Sequence, residues 1–193
     1  MLKNIVIIGA STGGPSALKE VLKAIPRNVP ASFLIVQHMP QGFTRSLAER
    51  LNMISELRVK EAEDGDIIRP GTAFVAPGNF HMTINQINSK YYISLNQKKE
   101  VSGHRPSVNV LIESTENITG LNLIFVILTG MGSDGASAIK KIKKKRQITV
   151  ITQDENTSVV YGMPKAVNDM GIADMVLPLP KIGYKIVEII NRR

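Results

Sequence analysis

The sequence predicts a doubly wound α/β domain: a mostly parallel sheet of about seven strands, helices on both faces and an antiparallel edge hairpin. Three observations predict it. Short Val/Ile-rich runs alternate with stretches of helical periodicity, as when strand–helix units cover both faces of a parallel sheet. The run 122–129 (NLIFVILT) is almost wholly apolar, the mark of a central strand buried on both sides. The segment 63–96 departs from the alternation, because Gly65, Pro70, Gly71, Pro77 and Gly78 cut it into short pieces.

The elements follow in order. Residues 4–9 read as a first strand. Pro15 then sits where a first helical turn tolerates a missing N–H. Leu18, Val21, Leu22 and Ile25 recur at i, i+3, i+4, i+7, and Pro26 and Pro30 end that helix. Residues 32–37 form a second strand, and Phe43, Leu47, Leu51 and Ile54 define a helix over 43–54. Residues 57–62 form a third strand. Ala73-Phe74-Val75 is a short strand, and the alternating run 91–95 closes a β-hairpin at the sheet edge. A helix over 106–117 turns Val108, Leu111 and Ile112 inward. After the central strand come a helix marked by Ala138, Ile139 and Ile142, a strand at 149–152, a helix at 164–171 and a strand at 173–177. The terminal helix carries Ile182, Ile186, Ile189 and Ile190.

Composition narrows the function classes. A chain of 193 residues, 43% of them apolar, supports one sizeable core, so residues 1–193 are expected to form a single domain. No apolar run approaches the roughly 18 residues of a membrane span, and the first residues do not read as a signal peptide. The absence of Cys excludes disulfides, thiolate catalysis and Cys-based zinc sites, and fits a reducing, cytoplasmic setting. Three scattered His residues without an i, i+4 pair argue against a metal site, and no cofactor is implied. The net charge is +8, with six of 24 basic residues in the run Lys140-Lys141-Ile142-Lys143-Lys144-Lys145-Arg146. Without Trp, and with few aromatics to stack on bases, this is not a nucleic-acid stripe. It reads as the cationic end of a helix, solvated or offered to an acidic protein partner.

In open α/β sheets ligands bind beyond the carboxyl ends of strands. The first strand ends in Gly9-Ala10-Ser11-Thr12-Gly13, a G-x-S-x-G turn that exposes a Ser hydroxyl between strand and helix. The second ends at Gln37-His38-Met39-Pro40, the central one at Gly130-Met131-Gly132-Ser133-Asp134-Gly135, and the next at Gln153-Asp154. A Ser, a His and a carboxylate on one rim are the parts of a hydrolytic triad. The hydroxyl needs a base, imidazole is one near neutral pH, and a carboxylate fixes the imidazole tautomer. Backbone N–H groups of Thr12 and Met131 are the natural oxyanion donors. Locally, Asp134 reads as the cap of the following helix and Asp154 as a turn residue. The order of residues does not choose between them as partner of His38. His81 reads as surface or edge packing and His104 as a local anchor. The order Ser, His, acid is not that of α/β-hydrolases. Two rivals to a protein-directed enzyme are a serine esterase of the same scaffold acting on another substrate, and a module holding phosphate at the Ser11 turn.

At these residues the chain resembles the catalytic domain of the chemotaxis protein-glutamate methylesterases, the CheB family. The resemblance lies in Ile8–Pro15, Gln37–Pro40, Gly42–Leu51, Val59–Gly65, Ala76-Pro77-Gly78, His104–Val108, Leu128–Gly135 and Tyr161–Pro164, spread in order over nearly the whole chain. It implies Ser11 as nucleophile, His38 as base and Asp134, rather than Asp154, as acid. It implies hydrolysis of γ-glutamyl methyl esters on the cytoplasmic helices of methyl-accepting chemotaxis receptors, deamidation of receptor glutamines, and an acyl-enzyme on Ser11. The family usually carries an N-terminal phospho-receiver domain that gates the site. This sequence starts three residues before the first catalytic-domain strand, as a stand-alone form or an excised domain, so activity without a phosphodonor is expected of it, with any control left to a separate regulator.

Overall fold

The computed structural model describes residues 1–192. In chain order the elements are β1 (Asn4–Ala10), α1 (Gly14–Lys23), β2 (Ala31–Gln37), α2 (Phe43–Ile54), β3 (Arg58–Glu61), β4 (Thr72–Val75), β5 (His81–Ile87), β6 (Lys90–Asn96), α3 (Val108–Glu113), β7 (Asn122–Ile127), α4 (Ala136–Lys143), β8 (Thr149–Gln153), α5 (Met163–Asp169), β9 (Met175–Leu177) and α6 (Leu179–Asn191). Seven strands form one sheet in the order β3-β4-β2-β1-β7-β8-β9, parallel throughout.

The alternation of side chains across this sheet separates two cores. In β1, Val6, Ile8 and Ala10 face the core formed with α1, α2 and α6, through residues such as Leu18, Leu22, Leu51 and Ile186. Ile5 and Ile7 face the opposite core, formed with α3, α4 and α5, through Leu111, Ile139 and Val167. Both faces are covered, so β1, β2 and β8 are buried at every position. That is why β1 and β2 carry the apolar runs 5–8 and 33–36.

Two details differ from expectation. The hairpin β5–β6 forms, but pairs with itself in a separate two-stranded sheet instead of extending the main sheet's edge. Its alternating apolar side, Met82, Ile84 and Ile93, joins the core on the α3 face. There α3 spans only six residues, and the hairpin supplies the remaining cover. The β3 edge is left to the charged side chains of Arg58 and Lys60. The helix expected over 106–117 is confined to 108–113, because the Ser114 and Thr115 hydroxyls bond back to the carbonyls of Leu111 and Ile112 (both 2.7 Å) and tighten the chain into turns.

The basic run is largely a brace. Lys141 pairs with Glu113 (3.5 Å) and Glu116 (3.3 Å), Lys143 with Asp174 (2.5 Å), and Lys145 with Glu116. Arg146 donates to the carbonyls of Thr115, Ile118 and Leu121. These contacts tie the end of α4 to the turns after α3 and to the segment before β9. Lys140 and Lys144 carry the solvent-facing remainder of the charge. Among the described residues no helix is long and apolar enough to cross a membrane.

Candidate active site

The strands β1 and β7 are parallel neighbours at the middle of the sheet, yet the helices that follow them lie on opposite faces. Chains that leave adjacent strands in opposite directions open a crevice at the carboxyl ends. Ser11 follows β1, the turn 130–135 follows β7, and His38 follows β2 on the other side of β1. The ladder continues one step past the strands: His38 N–H donates to Ala10 O (3.1 Å) and Ser11 N–H to Thr129 O (3.0 Å). Ser11 is thereby flanked by His38 and by the Thr129–Gly130 backbone.

Two glycines make the approach possible. Gly13, in the turn after Ser11, has φ +82°, and a side chain there would meet Val159 at 2.7 Å. A Cβ on Gly130 would fall 2.7 Å from Ser11 Cβ and 2.5 Å from Met163 Sδ. The two turns are braced across the crevice. Thr129 Oγ1 donates to Thr12 O (2.9 Å), and Gly162 and Met163 N–H both donate to Gly130 O (3.1 and 2.8 Å). The N–H groups of Thr12 and Met131 donate to no group among the described residues, and the Met131 side chain is 71% exposed.

His38 and Asp134 meet: Nε2 lies 2.8 Å from Oδ2, and both side chains are largely buried. Asp134 accepts three further hydrogen bonds, from Ser107 Oγ (2.9 Å), Val108 N (2.7 Å) and Asn109 N (3.0 Å). Burial acts to raise its pKa. The bonds from His38, Asn109, Val108 and Ser107 outweigh it and hold the carboxyl below its ordinary value of 3.8. An ionised carboxylate only accepts, so the ring proton sits on Nε2 and Nδ1 keeps its lone pair. Nδ1 is buried and has no hydrogen-bond partner among the described residues.

Asp134 does not cap the helix that follows it. It caps α3, while Asn109 Oδ1 accepts from Gly135 N (3.1 Å), Ser137 Oγ (2.9 Å) and Ala138 N (3.1 Å) at the start of α4. Each helix start is thus closed by a side chain from the other. Asp154 is a turn residue, its Oδ1 held by Thr157 N (3.0 Å) and Thr157 Oγ1 (2.5 Å). Ser11 is brought to the same rim as His38, but its hydroxyl makes no hydrogen bond among the described residues.

Residues that spacing did not single out also shape the site. Ser107 and Asn109 act through hydrogen bonds that cross from one helix start to another, which no local pattern reveals. His104 stacks on His38, ring centroids 3.8 Å apart and planes within 10°. In the sequence it reads as a local anchor beside Arg105-Pro106, within the family-like stretch His104–Val108. His81 is buried rather than superficial, its Nε2 on Lys99 O at 3.1 Å. A cleft of about 310 Å³ opens beside His38, lined by Met39, Pro40, Glu100, Gly103, His104, Arg105 and Pro106.

Comparison with known proteins gives a consistent picture. A family model described as CheB methylesterase matches residues 6–186. The chain is 46% identical over 185 residues to a protein-glutamate methylesterase/protein-glutamine glutaminase of Halalkalibacterium halodurans, covering 96% of this chain and 53% of that protein. It is 47% identical over 191 residues to protein-glutamate methylesterase/protein-glutamine glutaminase 2 of Pseudomonas aeruginosa, covering 99% and 54%. The crystal structure of the Thermotoga maritima CheB methylesterase catalytic domain matches with a TM-score of 0.94 at 45% identity, covering 98% of this chain and 100% of that one. The chain spans about half the length of the curated relatives it matches.

Proposed function

The chain belongs to the CheB methylesterase family, and on that premise we propose that it hydrolyses γ-glutamyl methyl esters of chemotaxis receptors and deamidates receptor glutamines. Its substrate is the cytoplasmic helical part of those receptors, which makes it a cytoplasmic enzyme. The observation that carries this reading is the His38–Asp134 pair. With Nε2–H committed to a carboxylate, a buried, unpartnered Nδ1 is left one ladder step from Ser11.

The chemistry follows from that geometry. In this mechanism Ser11 Oγ closes on Nδ1 when substrate binds, a tightening of contacts that are commonly loose in the free enzyme. Oγ attacks the γ-carbonyl carbon as Nδ1 takes its proton. The tetrahedral oxyanion is held by the free N–H groups of Thr12 and Met131, and Asp134 stabilises the imidazolium. The imidazolium then gives the proton to the departing methanol, or to ammonia from a glutamine, leaving an ester on Ser11. Water attacks that ester with Nδ1 again as base, and glutamate is released.

The test is methanol release from methylated receptor by the purified chain. Release by the wild type and its loss in Ser11→Ala support the reading. Near-normal turnover by Ser11→Ala would remove the covalent mechanism. A chain active on simple esters but inert on receptor would favour the small-ester alternative.

A further inference from the structure

The loop between β6 and α3 is built more rigidly than a connection needs. Val101 and His104 bond each other's backbones in both directions (3.2 and 3.0 Å) around Ser102 and Gly103, both at positive φ (54° and 76°), a tight hairpin turn. Arg105 clamps the loop, donating to Asn79 Oδ1 (2.6 Å), Gln97 O (3.2 Å) and Lys98 O (3.1 Å). Buried His81 holds Lys99 O from below. What this scaffold presents is the His104 ring, flat against His38 at 3.8 Å.

His38 needs such a contact. Its bond to Asp134 fixes the Nε2 end of the ring, but one hydrogen bond leaves the imidazole free to rock about that contact. A plane laid on one face removes the motion and shields that face from water, so Nδ1 keeps one direction. Resting on the triad reading above, we propose that His104 is a positioning residue: its stacked ring holds the His38 imidazole in the tautomer and orientation that present Nδ1 to Ser11. Burial, first, and the neighbouring His38 hold His104 below its ordinary pKa of 6.5, against the opposing pull of Asp134 and Glu100. A neutral ring is what this role requires, since a cation stacked at that distance would oppose imidazolium formation on His38.

The test compares His104→Ala, which removes the ring, with His104→Phe, which keeps a flat ring without titratable nitrogens. The chain has three histidines, so their ring nitrogens are separable in two-bond 1H–15N correlation spectra. The wild type should show His38 as a single Nε2–H tautomer. In His104→Ala the His38 shifts should move toward averaged values, and kcat for methanol release should fall roughly 10- to 100-fold. KM should stay within about twofold, because the lost contact is not with substrate. His104→Phe should restore both the tautomer and most of kcat. Unchanged His38 shifts in His104→Ala overturn the proposal, as does a loss confined to KM. A Phe variant as impaired as the Ala variant would also overturn it, since the imidazole itself would then be acting. A wild-type chain that releases no methanol, yet shows the same spectral change and rescue, would refute the functional reading and leave the positioning role standing.

Discussion

Asp134→Asn tests the centre of the site, because each carboxylate oxygen is doubly engaged. Oδ1 accepts from Ser107 Oγ and Asn109 N, and Oδ2 from Val108 N and His38 Nε2. An amide has one accepting oxygen and one donating nitrogen. Whichever way it is turned, its NH2 faces a buried backbone N–H, Asn109 on one side or Val108 on the other. One unsatisfied buried donor costs about 1–3 kcal/mol. The remaining bonds lose charge assistance, so a total of about 2–4 kcal/mol is expected. For a domain of this size that lowers Tm by roughly 5–15 °C. With NH2 toward His38, Nε2 must accept, the ring proton moves to Nδ1, and the base is lost. With NH2 the other way, the imidazolium loses its counter-charge. On the proposed mechanism, in which Asp134 orients rather than reacts, the expected loss in kcat is on the order of 10³-fold or more, yet smaller than for Ser11→Ala. Methanol release and thermal unfolding measure the two effects separately. A pH series adds a signed check. Asp134 is held below 3.8 in the folded protein and titrates near 3.8 when unfolded. The unfolded chain therefore binds more protons there, and this contribution to stability, full above 3.8, is lost as pH falls through the folded value. The gap in stability between wild type and Asp134→Asn should narrow on acidification below that point. A variant with wild-type kcat and wild-type Tm would refute the reasoning.

Other outcomes follow from the same contacts. His38→Ala should reduce ester hydrolysis by orders of magnitude with the fold intact by circular dichroism, and Ser11→Ala/His38→Ala should be little worse than either single change; multiplicative losses would mean that the two do not act as a unit. Gly130→Ala would push a methyl group against Ser11 Cβ and Met163 Sδ; it should lower kcat roughly 100-fold or more and lower Tm as well, since overpacking costs about 1–3 kcal/mol, and full activity with a wild-type Tm would show that the Ser11 position is not so constrained. Arg146→Ala should lower stability by roughly 1–3 kcal/mol in urea unfolding, since three carbonyls lose their donor, whereas Lys140→Gln with Lys144→Gln, which remove only exposed charge at the helix end, should cost less. Salt should raise KM for receptor without lowering kcat, because screening over a Debye length of roughly 8–10 Å acts on association; a flat profile would discard a role for the net charge of +8.

Periodicity determined the sheet, because burial on both faces forces unbroken apolar runs such as 5–8, 33–36 and 123–128, and amphipathic helices such as 43–54 must place their apolar residues at helical spacing. It also brought Ser11, His38 and Asp134 to one rim, since strand ends in a parallel sheet lie on the same side. Tertiary structure decided what depends on contacts between distant segments. The hairpin covers a face rather than an edge because α3 is short, a shortfall set by the competing hydroxyls of Ser114 and Thr115. The order of residues left Asp134 and Asp154 open and only the family resemblance chose Asp134; the structure supplies the reason, since the starts of α3 and α4 cap each other and Asp154 is consumed by its own turn. Most charges of the run 140–146 meet carboxylates and carbonyls that lie far off in sequence. The stacking of His104 on His38 joins two loops through ring geometry alone, and no spacing of residues along a chain encodes that.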